Sequence, residues 1–380
     1  MVKIALFSDT LFDANGVSRF LQDMAKQSAY KDNNLHIFTS TKKRFSYLEL
    51  ENIHNVEPVL RFPMPFYSDL DFVLPNFFKL RRKFLTLKPS IIHISTPGSV
   101  GIYAKKLAKK YGLALVGTYH TDFPEYVYRN LPFKFTQSLA KAYMKWFYKE
   151  FDLILLRSSV YEDILVKEIG IDRAKLRVLK YGTDIEKFHP KFKDRFSKGD
   201  FGLPKSGFNL LYVGRLTKEK NFHLILELFK ELNRLNDIKI NFIVVGSGEC
   251  TKLLKGVRNL YYLGKREGDE LSYIYAMSDA FLSMSITETL GQTILEALAS
   301  GTPAIVSSVG GQKDFIDEKY CIIHKNLNIS QWRDSILELY RDSKRLKELS
   351  QNARKKAQML SIKESYEHFI ELHLMDQDID

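Results

Sequence analysis

Short apolar runs alternate with stretches of helical periodicity along the whole chain. The runs that predict buried strands are residues 2–7, 35–39, 91–94, 114–119, 151–156, 176–179, 210–213, 241–245, 260–263, 280–284 and 304–308. Between many of them, apolar side chains recur three or four residues apart, as at Leu224, Ile225 and Leu228, which is the spacing of an amphipathic helix. Strands that alternate with helices in this way are typical of a parallel α/β sheet.

The segment 280–311 adds candidate chemistry to this pattern. Residues 280–284 end a predicted strand, and residues 291–300 have helical spacing. Glu288 therefore lies in the loop after a strand, and Glu296 lies on the following helix. In open parallel sheets this loop is where ligands bind, and a helix N-terminus presents unpaired amides to a phosphate. Taken singly, Glu288 could also be a helix cap and Glu296 a solvent-exposed helix residue.

A second group of polar residues follows the predicted strand at 210–213. Gly214 and Arg215 end that strand, and Lys220 precedes the next helix. An arginine pairs with two phosphate oxygens at once and a lysine acts as a point charge, so this arrangement predicts a clamp for a diphosphate. The alternative is that Lys218 and Lys220 are solvent-exposed residues at the start of a helix.

Both segments resemble the donor-binding part of the retaining GT-B glycosyltransferases of family 4. The signature of that family is a Glu, seven further residues and a second Glu, and Glu288 and Glu296 stand in this register. The positions that also fit are Gly291, the turn 300–303, the Gly310–Gly311 pair and the string from Gly214 to Asn221. Leu290 departs from the pattern, since many relatives carry an aromatic residue there. The resemblance is clear over 208–312 and weaker over 1–190.

The resemblance implies a role for each of these residues. Glu288 is expected to contact hydroxyl groups of the donor sugar, and Glu296 the ribose of the nucleotide. The groups expected to stabilise the leaving diphosphate are Arg215, Lys220 and the backbone amides of Thr289, Leu290 and Gly291. Because these groups meet the developing negative charge, we expect no metal ion at the site.

Three further residues are predicted to contact the donor. Gly16 lies in the loop after the first strand, Gly246 lies in a Val-Gly-x-Gly turn, and Arg266 lies in a loop that approaches the base in relatives. Each has a simpler explanation that the sequence leaves open, namely an ordinary Asn-Gly turn, a plain tight turn and a solvent-exposed arginine. No G-x-G-x-x-G follows the first strand, so the dinucleotide-binding fingerprint is absent.

His120 follows the strand at 114–119, in the string Tyr-His-Thr-Asp-Phe. A histidine in such a position is commonly a structural residue. Relatives of the family carry a Tyr-His-Thr segment here, however, and the resemblance implies that His120 reaches the donor sugar near its reacting face. The full string is similar to that of the glycolipid and mannosyl transferases in particular. The predicted catalytic residues are therefore His120, Glu288, Arg215 and Lys220.

The resemblance also implies the GT-B fold, in which two Rossmann-like, doubly wound α/β domains face each other across a cleft. We expect an acceptor-binding domain at 1–190 and a donor-binding domain at 208–360. The charged stretch 191–207 has no periodicity and predicts a linker. The last segment, 361–380, is expected to form a helix that packs back on the first domain.

Composition and charge restrict the possible partners. The 380 residues suffice for two cores. No run of 18 apolar residues predicts a membrane-spanning helix. The two cysteines, Cys250 and Cys321, lack metal or redox spacing and fit a reducing cytoplasm. The net charge of +12 fits nucleic acid, an anionic membrane or an anionic ligand. Nucleic acid is disfavoured as a partner. A nucleic-acid-binding protein would carry alternating basic and aromatic residues on one platform, and it would lack the predicted diphosphate clamp.

A basic and aromatic stretch in the first half favours an anionic membrane. Between Phe72 and Thr121 there is no Asp or Glu. The predicted membrane-binding cluster is Lys79, Arg81, Arg82 and Lys83, and phenylalanines interleave with it. A second stretch, 133–149, mixes aromatic residues with lysines. Each basic side chain near an anionic surface contributes about 1 kcal/mol, and aromatic residues insert at the interface. The alternative is two ordinary amphipathic helices packed on a sheet.

Together these observations predict a metal-independent, retaining hexosyltransferase on the inner face of the cell membrane. Its donor would be a UDP-sugar or GDP-mannose, it would need no other cofactor, and its acceptor would be a lipid such as diacylglycerol. Two alternatives stay open: a transferase acting on a soluble or carrier-linked saccharide, and a nucleotide-sugar epimerase on the same fold. The two glutamates are not expected to act as a glycosidase pair, because same-face displacement needs no protein nucleophile.

Overall fold

A computed structural model of the protein describes residues 2–13, 15–43, 49–64, 67–120, 122–131, 133–235 and 237–375. The chain forms two compact units. Unit 1 comprises the chain up to Lys180 and the helix that begins at Ile362, and unit 2 comprises Tyr181–Ser361. The C-terminal helix therefore belongs to the same unit as the N-terminal half of the chain, as expected for the GT-B fold.

The secondary structure alternates as the sequence pattern predicts. The strands are β1 (Ile4–Phe7), β2 (Leu35–Thr39), β3 (Ile53–Asn55), β4 (Pro58–Met64), β5 (Tyr67–Pro75), β6 (Ile91–Ile94), β7 (Ala114–Tyr119), β8 (Leu153–Leu156), β9 (Leu176–Val178), β10 (Phe208–Val213), β11 (Ile240–Val245), β12 (Leu260–Gly264), β13 (Ala280–Ser283), β14 (Ala304–Ser307) and β15 (Cys321–His324). The helices are α1 (Gly16–Lys31), α2 (Phe77–Leu87), α3 (Ser99–Tyr111), α4 (Phe123–Asn130), α5 (Lys134–Tyr148), α6 (Val160–Ile164), α7 (Phe222–Leu232), α8 (Gly268–Ala276), α9 (Gln292–Ala299), α10 (Ile329–Arg341), α11 (Ser343–Gln358) and α12 (Ile362–Leu374).

Unit 1 is built on a parallel sheet in the order β3-β2-β1-β6-β7-β8-β9. Side chains alternate between its two faces, because successive residues of a strand point in opposite directions. Ala5 and Phe7 of β1 pack in one core with α2, α3 and α5, whereas Ile4 and Leu6 pack in the other with α1 and α12. Helices on both faces make this a doubly wound unit.

Unit 2 repeats the arrangement with a parallel sheet in the order β12-β11-β10-β13-β14-β15. In both units the strand order reverses beside the first strand, between β1 and β6 and between β10 and β13. Ligands of such sheets bind at the carboxyl ends of the strands flanking this reversal. The loops after β10 and β13 are the ones that carry Arg215 and Glu288.

The stretch 191–207 differs from the linker expected from its sequence. It belongs to unit 2, and its aromatic residues pack there. The ring centroids of Phe196 and Phe201 lie 5.5 and 5.4 Å from that of Tyr273 on α8, and Leu203 is buried. Most of the charged residues between them stay exposed, so the burial of the apolar side chains decides where the stretch packs.

The antiparallel hairpin β4–β5 was not predicted. Pro58, Pro63 and Pro75 interrupt its sequence, and prolines argue against a regular strand. The hairpin exposes apolar side chains, among them the stacked rings of Phe62 and Phe72. Within the described residues, no helix is both long and apolar enough to cross a bilayer.

Candidate active site

The loops after β10 and β13 bring three of the predicted site residues of unit 2 together, namely Arg215, Lys220 and Glu288. Gly214 and Arg215 follow β10, a 3-10 turn over Lys218–Lys220 leads into α7, and Glu288 lies between β13 and α9. Because β10 and β13 pair in parallel, both loops leave the sheet at its carboxyl edge.

One ion pair connects these loops, and a second lies within the loop after β10. Lys220 Nζ lies 2.8 Å from Oε1 of Glu288, and Arg215 Nη2 lies 2.8 Å from Oε2 of Glu219. The hydroxyl of Thr287 donates a hydrogen bond of 3.1 Å to Glu219. All of these side chains are partly buried, so solvent screens their charges less than at an open surface. Sequence reasoning missed Glu219 and Thr287, although Arg215 and Glu219 have the i,i+4 spacing of a helical ion pair.

The carboxylate of Glu288 is held in its charged form. Burial raises the pKa of Glu288, but the charge of Lys220 and hydrogen bonds from Lys220 and Ser285 outweigh this effect. The pKa therefore lies below its ordinary value, and Glu288 is an acceptor of hydrogen bonds at neutral pH. Among the residues that the structure describes, no three His, Cys, Asp or Glu side chains are placed together in a way that could hold a metal ion.

Glycines shape the backbone around Glu288. The amide of Gly311 donates to the Glu288 carbonyl at 2.6 Å, and a Cβ atom on Gly311 would lie 1.9 Å from the Thr289 carbonyl oxygen. Gly310 and Gly291 have φ angles of +100° and +92°, which L side chains rarely adopt. The Gly310–Gly311 pair and Gly291 are therefore needed for the course of this loop itself.

Gln312 fixes the same loop and was not singled out in the sequence. Its buried side-chain amide nitrogen lies 3.2 Å from the Ser285 carbonyl oxygen and 3.1 Å from that of Ser307. It thereby connects the ends of β13 and β14 beside the loop that carries Glu288. No sequence signal distinguishes such a glutamine, because its role depends on the position of backbone carbonyl groups, one of them 27 residues away in the chain.

Glu296 is buried on α9 rather than exposed to solvent. Its Oε2 accepts a hydrogen bond of 3.0 Å from the hydroxyl of Tyr275, which is itself buried on α8. This excludes the simpler interpretation of Glu296 as a solvent-exposed helix residue. A buried carboxylate held by a hydrogen bond has a fixed orientation.

Gly246 and Arg266 both have partners within unit 2. A Cβ atom on Gly246 would lie 1.9 Å from the Gly214 carbonyl oxygen, so the glycine allows two neighbouring turns to touch. The guanidinium of Arg266 lies 3.2 Å from a carboxylate oxygen of Glu270 and 5.8 Å from the ring centroid of Phe201. The tight-turn interpretation of Gly246 thus has a direct structural basis.

Unit 1 holds the remaining two predicted site residues. Nε2 of His120 lies 3.2 Å from the Ser95 hydroxyl, and its ring centroid lies 5.4 Å from that of Phe20. Burial, followed by the charge of Arg157, keeps the pKa of His120 well below its ordinary value, so the imidazole is neutral at physiological pH. Thr121, the next residue of the string, lies outside the described residues.

Gly16 is the first residue of α1, and Asn15 caps that helix. The Asn15 side chain accepts a hydrogen bond of 2.8 Å from the Ser18 amide. A Cβ atom on Gly16 would meet no protein atom within 4 Å. Asn15–Gly16 is therefore a helix start rather than an isolated turn, and packing does not require the glycine.

The basic cluster on α2 is partly engaged within unit 1. Lys79, Arg82 and Lys83 are exposed, whereas Arg81 donates hydrogen bonds of 3.1 and 2.9 Å to the Tyr111 hydroxyl. Lys105 of α3, counted in the same basic stretch, is buried with its Nζ 3.0 Å from the Trp146 carbonyl. Only some of the basic side chains in the stretch 72–121 are therefore exposed and able to contact an anionic membrane.

Both α2 and α5 have an apolar face that is not buried. On α2, Leu80 and Phe84 face the core, but Phe78 is 87% exposed. The exposed apolar residues at or on α5 are Phe133, Phe135, Leu139 and Trp146. Tyr143, Phe147 and Tyr148, which the sequence grouped with them, pack inward instead. Phe135, Leu139 and Trp146 follow a helical spacing and form one stripe.

Two Rossmann-like units, with a Glu-x7-Glu segment beside the central strands of the second, define a glycosyltransferase with the GT-B fold. The family model described as Glycosyltransferase Family 4 matches residues 14–187, and the one described as Glycosyl transferases group 1 matches residues 193–356. The chain belongs to this family of glycosyltransferases.

Characterised relatives are similar over most of the chain. A sulfoquinovosyl transferase of Arabidopsis thaliana is 31% identical over 264 residues, which cover 68% of this chain and 50% of that protein. The chain thus spans about half the length of that relative. An alpha-monoglucosyldiacylglycerol synthase of Streptococcus pneumoniae is 27% identical over 332 residues, covering 84% of this chain and 74% of that protein.

A solved structure confirms the fold over the whole chain. Anabaena HepE in complex with UDP-glucose superimposes with a TM-score of 0.78 at 16% identity, covering 99% of this chain and 100% of that one. At this identity the likeness concerns the fold.

Proposed function

We propose that the protein transfers a hexose from a nucleotide-diphosphate sugar to a hydroxyl of a membrane lipid, with retention of the anomeric configuration and without a metal ion. The observation that carries the proposal is the Lys220–Glu288 ion pair beside the Arg215–Glu219 pair. It sets two cations and an ionised carboxylate into the two loops where a parallel sheet takes its ligand.

In the proposed reaction, the bond between the sugar C1 and the diphosphate oxygen breaks while the acceptor oxygen bonds to C1 from the same face. The acceptor proton passes to the leaving phosphate. Arg215 and Lys220 stabilise the charge that develops on the diphosphate, together with the backbone amides after Glu288. Glu288 accepts hydrogen bonds from sugar hydroxyls and so orients the sugar, which its lowered pKa supports.

The other residues predicted from the family pattern are assigned to the nucleotide. Glu296, oriented by Tyr275, would contact the ribose. The remaining proposed donor contacts are Gly16, Gly246, Arg266 and the backbone of Thr289, Leu290 and Gly291. His120 is assigned to the donor sugar, and its neutral imidazole fits a hydrogen bond to a sugar hydroxyl rather than an ion pair with phosphate.

Metal independence is proposed because two side-chain cations stand where a metal would otherwise carry the diphosphate charge. Asp-x-Asp triplets, which hold such metals in other transferases, occur at 69–71 and within 376–380. None occurs in the donor-binding stretch 208–312. The cations Arg215 and Lys220 are thus the candidates to stabilise the leaving group.

The donor and the acceptor are proposed from the relatives. A UDP-sugar is favoured, because HepE, which shares the fold, was solved in complex with UDP-glucose. GDP-mannose is the second candidate. The name of the Streptococcus relative indicates a diacylglycerol glycolipid product. A lipid acceptor also fits unit 1, whose exposed Phe78, Phe135 and Trp146 lie on helices with exposed lysines. We therefore propose that the protein acts at the inner face of the cell membrane.

The test is a transfer assay with vesicles that contain diacylglycerol, using UDP-glucose, UDP-galactose or GDP-mannose as donor. We expect a glycolipid from one of these donors, an anomeric proton that shows the configuration of the donor, and unchanged rates in EDTA. Inversion at C1 would refute retention, and loss of activity in EDTA with rescue by Mg²⁺ would refute metal independence. A product formed only on a soluble saccharide would refute the lipid acceptor, and donor epimerisation without transfer would refute the reaction class.

A further inference from the structure

Arg157 is a buried arginine whose charge no acidic side chain of the described residues neutralises. It follows β8 directly and is only 4% exposed. Its Nη1 atom has no hydrogen-bond partner among the residues that the structure describes. Burial lowers the pKa of Arg157 to about 9, and no carboxylate of the described residues offsets this effect. The group is still a cation at neutral pH.

The surroundings of the Arg157 guanidinium offset only part of the free-energy cost of burying its charge. It lies 3.9 Å from the ring centroid of Phe20, which is a close cation–π contact. Such a contact offsets only part of the free-energy cost of burying an uncompensated charge. The stability of the fold alone does not explain why a cation stands here, because an apolar residue of similar length would fill the same space at lower cost.

The position of Arg157 connects it to the predicted site. β7 and β8 pair in parallel with Tyr119 opposite Leu156, so His120 and Arg157 leave neighbouring strands at the same edge. Phe20 of α1 contacts both side chains. The charge of Arg157 also contributes to the low pKa of His120, as expected for close neighbours. The cation therefore stands at the carboxyl edge of the sheet, where ligands of doubly wound units bind.

We propose that Arg157 binds a phosphate oxyanion of a substrate, beside His120. The phosphate would be either that of the nucleotide-sugar diphosphate or one carried by the acceptor. Only the identity of the molecule that carries the phosphate rests on the proposed function. The oxyanion would supply the partner that Nη1 lacks, and would remove the repulsion that Arg157 exerts on a protonated His120.

The binding test uses the site's own histidine as the probe. The ring proton signals of His120, assigned by comparison with His120→Asn, are followed by NMR while inorganic phosphate is added and the pH is varied. We expect a saturable shift and a rise in the apparent pKa of His120 with phosphate. In Arg157→Met the shift should disappear, and in Arg157→Lys it should need about tenfold more phosphate. The exposed Arg173, which pairs with Glu162 and Asp163 in the same unit, provides the control Arg173→Met.

A stability measurement separates this role from a structural one. Methionine fills a similar volume without a charge, so Arg157→Met should melt at the same temperature as the wild type or higher in phosphate-free buffer. A clear drop in melting temperature, with His120 unaffected by phosphate in the wild type, would mean that Arg157 only supports the fold. Loss of the phosphate response in Arg173→Met as well would refute a local site.

Two further measurements identify the source of the phosphate. If it belongs to the donor, Arg157→Met should weaken binding of the nucleoside diphosphate about tenfold in calorimetry. If it belongs to the acceptor, that affinity should stay unchanged and KM should rise for a phosphate-bearing acceptor but not for diacylglycerol. The phosphate titration needs no turnover, so the proposal on Arg157 and the proposed transfer reaction can fail independently.

Discussion

Nζ of Lys220 lies 2.8 Å from a carboxylate oxygen of Glu288, although 67 residues separate the two in the chain. The pair joins the loop after β10 to the loop after β13 and keeps Glu288 ionised. A diphosphate that binds Lys220 and a sugar that binds Glu288 would therefore meet side chains already held at one place. Such pre-organisation is the main protein contribution expected for a reaction whose leaving group carries the charge.

Removing either proposed diphosphate-binding cation should weaken binding of the nucleoside diphosphate product. We expect Arg215→Ala and Lys220→Ala each to raise its Kd about tenfold to a hundredfold, since each removes a charge-assisted hydrogen bond in a partly buried site. Calorimetry measures this directly. Lys218→Ala is the matched control, because Lys218 is exposed in the same turn. If all three variants bind the nucleoside diphosphate as tightly as the wild type does, the diphosphate binds elsewhere.

The two glutamates of the signature should differ in their effect on catalysis. Glu288→Gln removes the charge that we propose orients the sugar, so kcat should fall about a hundredfold or more. Glu296→Gln keeps an oxygen that can accept from Tyr275, so we expect mainly a higher KM for the donor. Steady-state kinetics with varied donor distinguishes the two effects. Wild-type kinetics in both variants would remove the basis of the assignment.

Alanine substitutions at two glycines should distinguish a glycine needed for backbone packing from one needed for the approach of the ligand. Gly246→Ala places a Cβ atom against the Gly214 carbonyl at a φ of +130°, so the melting temperature should fall by several degrees. Gly16→Ala meets no protein atom, so the melting temperature should not change. If the donor passes close to Gly16, turnover should nevertheless fall. Unchanged turnover in Gly16→Ala would exclude this glycine from the site.

Unit 1 should bind anionic vesicles through α2 and α5. The triple variant of Lys79, Arg82 and Lys83 to Ser should cosediment less with vesicles of phosphatidylglycerol, and wild-type binding should weaken as salt rises. Replacing the exposed Phe135 and Trp146 with Ser should reduce binding without this salt dependence.

The matched control for vesicle binding removes three exposed lysines of unit 2, Lys344, Lys347 and Lys355. This control variant loses the same net charge as the triple variant of α2. If the membrane site lies in unit 1, the control variant should therefore bind vesicles nearly as well as the wild type. An equal loss in the control would mean that binding depends on net charge alone. No binding of the wild type at low salt would refute the membrane proposal.

Acid should destabilise unit 1 through buried histidines. His93 and His373 hydrogen bond to each other at 2.9 Å, and burial lowers the pKa of both, to about 4 for His373. Because the folded state favours the neutral rings, their contribution to stability is complete above the unfolded pKa of about 6.5 and declines between pH 6.5 and 4. Urea denaturation at several pH values measures this slope.

The variant His373→Gln isolates that contribution. It should be less stable than the wild type at pH 7.5, where it lacks the packed ring, and the difference should shrink as the pH falls towards 4. The pair His36 and His54, whose pKa values are also lowered, remains in both proteins and cancels in the comparison. A difference that is constant with pH would contradict the assignment.

Most of the core could be predicted from local pattern. The strands at Leu35–Thr39, Ile91–Ile94 and Ala114–Tyr119 lie where the apolar runs place them, because apolar residues predominate in a strand that is buried on both faces. The hairpin β4–β5 could not be predicted in this way, since it lies outside the parallel sheet and carries prolines. The stretch 191–207 was misjudged because its charges are frequent, whereas its few aromatic residues decide where it packs.

The class of protein could be identified from the sequence alone, because Glu288, Glu296 and the glycines around them carry the family resemblance within one short segment. The structure was needed to show that Lys220 meets Glu288 and that the side chain of Lys105 is buried. Electrostatic and packing energies depend on distance in space and on burial. The sequence reports neither between residues that lie far apart along the chain.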